Sequence, residues 1–503
     1  MTHKRSLLAF VAGTLVATGV ALTPGTAAAA PAIDWQPCPD AEGVDCASIE
    51  VPLDWAKPNG EKIHIGLARR PAKDQANRIG SILMDPGGPG GSGVESVKQY
   101  DTFTDAVNAR FDQVGFDPRG VANSSQLLCD VDLAQQSDEA KHPASQAEFD
   151  HLASVNRALH DSCRANSDGL AEHVDNLATV RDMDAIRAAL GEKKLNFVGY
   201  SYGSLMGQQY AEKFPNRIRA MVMDGNMDHS LRTAWDFMRS ETAPVERGFL
   251  EFAKWCDTTP ACALYGEDTK AVYADLKERA RAGTLTDSDG EPMDFYDLAG
   301  STFGGVMYPV AWGSVATYLA DLRDGTATTT TASFGEVMNV PYPSIWCSDW
   351  KYPVKNYNHY KLLRNKLSRA FPNVEWSPYV DHAMTCVGSG TKTTNPQRRL
   401  DIDDAPPLVM IGNLHDPATV YEWNLAAARQ SGARLITYEG WGHTAYGNGG
   451  PSDCVNKAVD DYLINLKPPS RGLRCPATEV PDSGSMTANT RAIHPQVGPY
   501  RMG

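Results

Sequence analysis

The chain has 503 residues, a formal net charge of −14 and 42% hydrophobic residues. Such a length predicts either two domains or one domain carrying a large insertion around a sizeable core. The acidic balance lacks the basic footprint that nucleic acid or an anionic membrane surface selects, so neither is expected as a partner.

Residues 1–29 read as a secretory signal peptide. Lys4 and Arg5 precede an apolar run from Leu7 to Leu22, followed by the small-residue stretch TPGTAAAA. Pro31 disfavours cleavage after Ala30 and favours the bond after Ala29. The apolar run is shorter than the roughly 18 residues that a membrane span requires. An extracellular mature chain, released or wall-associated, is therefore expected, and no membrane partner. In an oxidising compartment the ten cysteines read as disulfides, and they fall in couples near in sequence: Cys38 with Cys46, Cys129 with Cys163, Cys256 with Cys262, Cys347 with Cys386, Cys454 with Cys475. Spacing alone does not fix connectivity, and neighbour pairing is the expectation. No Cys-x-x-Cys or Cys/His pattern of a zinc site occurs, so no metal or other cofactor is expected.

Short apolar runs bounded by turn residues recur at 81–85, 113–117, 195–199, 220–224, 408–412 and 434–438. Between them lie amphipathic segments such as 176–191, where Leu177, Val180, Met183, Ile186 and Leu190 repeat at helical spacing. Buried strands alternating with helices predict an α/β fold with a mostly parallel sheet covered on both faces. The alternation stops after Asp224 and resumes near Pro406. The expected organisation is a core of residues 30–227 and 401–475, a mainly helical cap or lid insertion at 228–400 containing the turn GTATTTTAS, and a loose tail at 476–503.

Two stretches carry chemistry early in the chain. DPGGPGGSG follows the strand at 81–85, and its glycines let backbone approach a substrate carbonyl, which suits an oxyanion loop. Gly199-Tyr200-Ser201-Tyr202-Gly203 matches G-x-S-x-G between the strand LNFV and the helical LMGQQYAEKF. That context makes Ser201 the nucleophile on a tight turn, with glycines where a side chain would collide with the packed strand and helix. A serine needs a base and the base an orienting carboxylate, in the chain order Ser, Asp or Glu, His. Asp416, in the segment after LVMIG, and His443, in the loop after RLITY, fit that order; Asp224 and Glu439 are the competing strand-end carboxylates. His415 and His382 are assigned to surface or cap. Tyr202 N–H and Gly88 N–H are the expected oxyanion donors.

DPGGPGGSG, VGFDPRG, DMDAIRAALGEKKLNFVGYSYGS, MVMDGNMD, DPATVYEW and GWGHT occur in that order. Together they resemble the secreted bacterial tripeptidyl aminopeptidases, a proline iminopeptidase-like branch of the α/β-hydrolases. The resemblance implies an α/β-hydrolase fold, a Ser201–His443–Asp416 triad, and release of short peptides, often tripeptides, from free amino termini. It also aligns Asp117-Pro118-Arg119-Gly120 with a structural turn in which Arg119 braces the oxyanion loop.

A peptide substrate with a free N-terminus brings a cation that must meet carboxylate in a closed site. Asp349, in WCSDW, is the first candidate, followed by Asp224 and Glu422, with Trp346, Trp350 and Tyr352 as possible walls. Peptide and protein N-termini are thus the expected partners, and a monomer the expected state. The alternative is a secreted carboxylesterase or lipase using the same triad, since fold and triad do not fix the acyl group.

Overall fold

The computed structural model describes residues 33–287, 290–326 and 337–478. The signal segment with its cleavage point near Ala29, most of the Thr-rich turn and residues 479–503 of the tail lie outside the described residues. Twelve strands are described: β1 (Gln36–Pro37), β2 (Asp45–Pro52), β3 (Lys62–Arg70), β4 (Gly80–Asp85), β5 (Phe111–Phe116), β6 (Leu128–Asp130), β7 (Leu195–Tyr200), β8 (Ile218–Asp224), β9 (Val337–Asn339), β10 (Val409–His415), β11 (Arg434–Trp441) and β12 (Arg474–Cys475). Ten of them form one sheet in the order β1-β2-β3-β5-β4-β7-β8-β10-β11-β12, and β6 pairs with β9 apart from it. From β5 to β12 every pairing is parallel, whereas β1, β2, β3 and β5 are joined antiparallel.

The six apolar runs of the sequence become β4, β5, β7, β8, β10 and β11. In β4, β5 and β7 every residue is buried, as parallel strands covered on both faces must be. Burying each of their Val, Leu, Ile or Phe side chains contributes about 1.5–3 kcal/mol. The antiparallel β2–β3 pair has no such signature: β2 reads DCASIEVP, and it buries only its last two residues. The helix predicted at 176–191 runs Asn176–Ala189, started by the Asp175 side chain, which accepts from Ala178 N–H at 3.1 Å.

Between β8 and β10 the described chain is mainly helical, with helices at Ala234–Thr258, Thr269–Arg281, Phe295–Val306, Trp312–Asp324, Pro341–Asp349 and Tyr357–Ala370. Part of this region has its own apolar cluster around Phe249, Phe252, Leu276, Leu298 and Leu319. Phe237, Trp346, Trp350, Leu363 and Leu367 instead join the cluster that lines one face of the sheet. The region touches loops at the carboxyl ends of strands. A Cβ on Gly90, in the loop after β4, would lie 3.0 Å from Pro341 Cγ, and one on Gly442, after β11, would lie 2.7 Å from the Tyr308 ring.

The five disulfides pair Cys38–Cys46, Cys129–Cys163, Cys256–Cys262, Cys347–Cys386 and Cys454–Cys475, with Cα–Cα separations of 4.2–5.6 Å. Among the described residues no helix is long and apolar enough to cross a membrane, and no group of three or more His, Cys, Asp or Glu could hold a metal ion.

Candidate active site

Ser201 sits where β7 gives way to the helix Gly203–Lys213, at φ +54°, a left-handed conformation that non-glycine residues adopt at a cost. Its surroundings enforce that turn. A Cβ on Gly199 would lie 2.4 Å from the Gly203 carbonyl oxygen, and one on Gly203 would lie 2.7 Å from Asp85 Oδ1. Ser201 N–H donates to the Asp224 carbonyl at 2.8 Å, tying the turn to the end of β8.

Residue 225, next in the chain, lies against the imidazole of His443: a Cβ on Gly225 would be 3.1 Å from His443 Cε1. His443 Nδ1 lies 2.9 Å from Asp416 Oδ2, and its Nε2 is buried without a partner. Asp416 is fully buried at the end of β10. Its Oδ1 accepts from Ala418 N–H at 2.8 Å and Thr419 N–H at 3.0 Å, and its Oδ2 from the Thr419 hydroxyl at 2.9 Å. Burial works to raise the Asp416 carboxyl, but His443 and these two amides outweigh it and hold the group below the usual carboxylate range. Burial likewise works against protonated His443, and the Asp416 charge reverses the balance, leaving the imidazole above its ordinary value.

The glycine loop after β4 lies directly on the serine turn. A Cβ on Gly87 would fall 2.6 Å from the Tyr200 carbonyl oxygen and 2.8 Å from Ser201 Cβ, and Gly87 holds φ +99°. Gly87 N–H donates to Asp85 Oδ1 at 2.9 Å. Neither Gly88 N–H nor Tyr202 N–H is spent on an acceptor among the described residues. Asp117 stabilises the same loop, accepting from the Ser92 hydroxyl at 2.6 Å and Val94 N–H at 3.1 Å.

Several expectations need correction. Arg119 does not brace the oxyanion loop; it is buried and forks onto Asp182 at 2.7 Å, with its remaining donors on the carbonyls of Pro52, Leu53 and His173. Asp349 does not face an incoming amine. It is fully buried and its oxygens accept from Asn176 N–H at 3.0 Å, Asn395 Nδ2 at 2.6 Å and the Tyr202 hydroxyl, which anchors the residue after the serine. Asp224 Oδ2 accepts from Ala445 N–H at 2.8 Å and Tyr446 N–H at 2.7 Å, holding the loop that carries His443, and its Oδ1 is buried without a partner. Glu422 is exposed and lies 3.9 Å from Arg247. Trp346 and Trp350 stack at 5.1 Å as buried members of the apolar core. Glu439, the other competing carboxylate, pairs with Arg474 at 2.5 Å.

Sequence comparison meets this geometry from outside. Residues 80–299 match a family profile described as alpha/beta hydrolase fold, and residues 372–475 match one described as TAP-like protein. A tripeptidyl aminopeptidase of Streptomyces lividans is 30% identical over 495 residues, spanning 91% of this chain and 89% of its own. The chain belongs to the tripeptidyl aminopeptidase family of α/β-hydrolases. It is a serine hydrolase with the fold expected of that family. The chain is also similar to the serine protease Hip1 of Mycobacterium tuberculosis, at 29% identity over 88% of this chain and 91% of that one. A carboxylesterase B of the same organism is 29% identical over 92% of this chain and 94% of its own.

Proposed function

We propose that the chain is a secreted serine exopeptidase that releases short peptides, tripeptides among them, from free amino termini through an acyl-enzyme. Ser201 Oγ attacks the scissile carbonyl, and His443 Nε2 takes its proton as Nδ1 leans on Asp416. Gly88 and Tyr202 N–H receive the oxyanion, and His443 then returns the proton to the leaving amine. A water activated by the same imidazole frees the peptide. The observation that carries this reading is the buried His443–Asp416 pair at 2.9 Å, with Nε2 unspent, on loops tied to the strained Ser201 turn. Residues 228–400 act as the cap that admits substrate, and peptide or protein N-termini are the partners of a monomer. Five disulfides support export to an oxidising space.

The carboxylesterase relative gives a specific ground for a second reading, ester hydrolysis by the same triad. Hydrolysis of a chromogenic tripeptide amide, its N-acetylated twin and a short-chain ester separates the two, with S201A as blank. Turnover of the free-amine peptide and loss on acetylation supports the exopeptidase. Turnover of the ester alone overturns it in favour of the esterase.

A further inference from the structure

One buried acid near the active site has no work inside the folded protein. Glu241, on the helix Ala234–Thr258, is 2% exposed, and its Oε2 has no hydrogen-bond partner. Among the described residues no Lys, Arg or His forms an ion pair with it, unlike the buried Asp182, which is held by Arg119. Buried polar groups are nearly always satisfied, so an unsatisfied carboxyl calls for an explanation.

Its neighbours give one. Phe237, one helical turn before Glu241, lies 4.5 Å from the Tyr352 ring and 6.4 Å from the His382 ring, and the Glu241 charge bears on the phenols of Tyr342, Tyr352 and Tyr379. Two further polar atoms in this cluster, Tyr342 Oη and His382 Nε2, are also buried and unpartnered. The Tyr342 and Tyr379 rings lie 5.2 Å and 5.5 Å from the His382 ring, so these groups form one aromatic enclosure. Tyr342 follows Pro341, the residue packed against Gly90 of the oxyanion loop. The enclosure therefore adjoins that loop, where a Cβ on Gly90 would also lie 3.9 Å from Tyr342 N. Glu241 is also held in place. The hydroxyl of Ser240 accepts from Trp423 Nε1 at 3.1 Å, and Thr242 bonds the Met238 carbonyl at 2.7 Å.

We propose that Glu241 receives the α-ammonium of the substrate, with Tyr342 Oη as a second acceptor and the aromatic rings as a cation-tolerant wall. This rests on the exopeptidase reading and supplies what Asp349, Asp224 and Glu422 do not: a buried carboxyl that no described hydrogen-bond donor holds. The class of ligand it selects is a short peptide with an unblocked N-terminus; an acylated one brings no charge and leaves the acid unpaired. Burial pushes the empty-site Glu241 carboxyl well above the usual carboxylate range, with Asp416 adding to the rise. An arriving ammonium reverses that preference. The carboxylic acid then gives its proton to solvent, and carboxylate and ammonium form the ion pair.

The test is calorimetric titration of the full mature chain carrying S201A, so that nothing is hydrolysed, with a tripeptide amide and its N-acetylated twin, repeated with E241Q and E241D added. The expected result is on the order of 100-fold tighter binding of the free amine, the scale on which loss of a buried charge partner is felt. Heats in buffers of different ionisation enthalpy should show release of about one proton, as a carboxylic acid ionising on pairing requires. In S201A/E241Q both the preference and the proton release vanish, while E241D, charged but shorter, retains part of the preference. Gln copies the shape of the neutral acid, and melting curves verify the fold. Equal affinity of S201A for the two peptides, no binding by either, or an undiminished preference in E241Q overturns the proposal. Equal weakening of both peptides by E241Q also overturns it, because that marks a structural role. Hydrolysis by the chain with Ser201 intact is scored separately. If it leaves tripeptide amides uncut yet the S201A chain prefers the free amine, the exopeptidase reading fails and the ammonium site stands. If it cuts free-amine peptides while E241Q keeps the preference, the Glu241 assignment fails alone.

Discussion

At the scale of single residues, the site is a set of groups each held in an uncommon state by its neighbours. Ser201 keeps φ +54° because Gly199 and Gly203 leave no slack, and His443 is poised because Asp416 is itself fixed by two amides and a hydroxyl. S201A should cost about 10⁶ in kcat, and D416N about 10⁴, since the imidazole then loses the partner that fixes its tautomer. The base must be neutral to take the serine proton. Asp416 raises His443, so kcat/KM should fall as pH drops through an apparent value above the ordinary histidine range. A pH–rate profile of D416N checks the cause: its residual activity should show that acid limb displaced to lower pH. T419V removes the hydroxyl that touches both Asp416 and His443, and a steady-state assay should show kcat reduced with KM nearly unchanged.

At the scale of elements, the residue after the nucleophile is tied to the helical region. The Tyr202 hydroxyl donates to Asp349 at the end of the helix Pro341–Asp349, and the same carboxyl caps Asn176 at the start of the helix Asn176–Ala189. Three elements therefore meet on one buried acid beside the residue that follows Ser201. D349A leaves these donors unsatisfied, each at about 1–3 kcal/mol. The expected outcome is a lower melting temperature together with a loss in kcat larger than any change in KM, read from melting curves and tripeptide amide kinetics. G203A presses a methyl group to within 2.7 Å of Asp85 Oδ1 and 2.9 Å of the Asp85 carbonyl oxygen. Overpacking of that kind costs about 1–3 kcal/mol, to be read from a denaturant midpoint.

At the scale of the whole molecule, covalent loops reinforce both the core and the insertion. Cys129–Cys163 and Cys347–Cys386 close loops of sequence separation 34 and 39. By chain entropy each stabilises by about 4 kcal/mol, so reductant should lower the calorimetric melting temperature strongly. C38S/C46S, which opens a loop of separation 8, should lower it less.

Much of this was legible along the chain because the physics involved is local. A parallel strand buried on both faces must be continuously apolar, which exposed β4, β5, β7, β8, β10 and β11 to reading. A serine on a strand-to-helix turn must be flanked by small residues, which marked Ser201, and the chain order of the fold then pointed to Asp416 and His443. β2, which buries only its last two residues, and β3, broken by the exposed Lys62 and His64, carried no such pattern. What tertiary structure alone decided is which polar groups are already spent. Along the sequence Asp349 stands first as the ammonium partner, then Asp224 and Glu422, and nothing marks Glu241. Only packing shows that Asp349 and one oxygen of Asp224 are held by donors from distant segments, that Glu422 faces solvent, and that Glu241 is left buried and unpaired. A hydrogen bond is satisfied or not by atoms hundreds of residues apart, and burial is a property of the folded surface, so neither has a local signature.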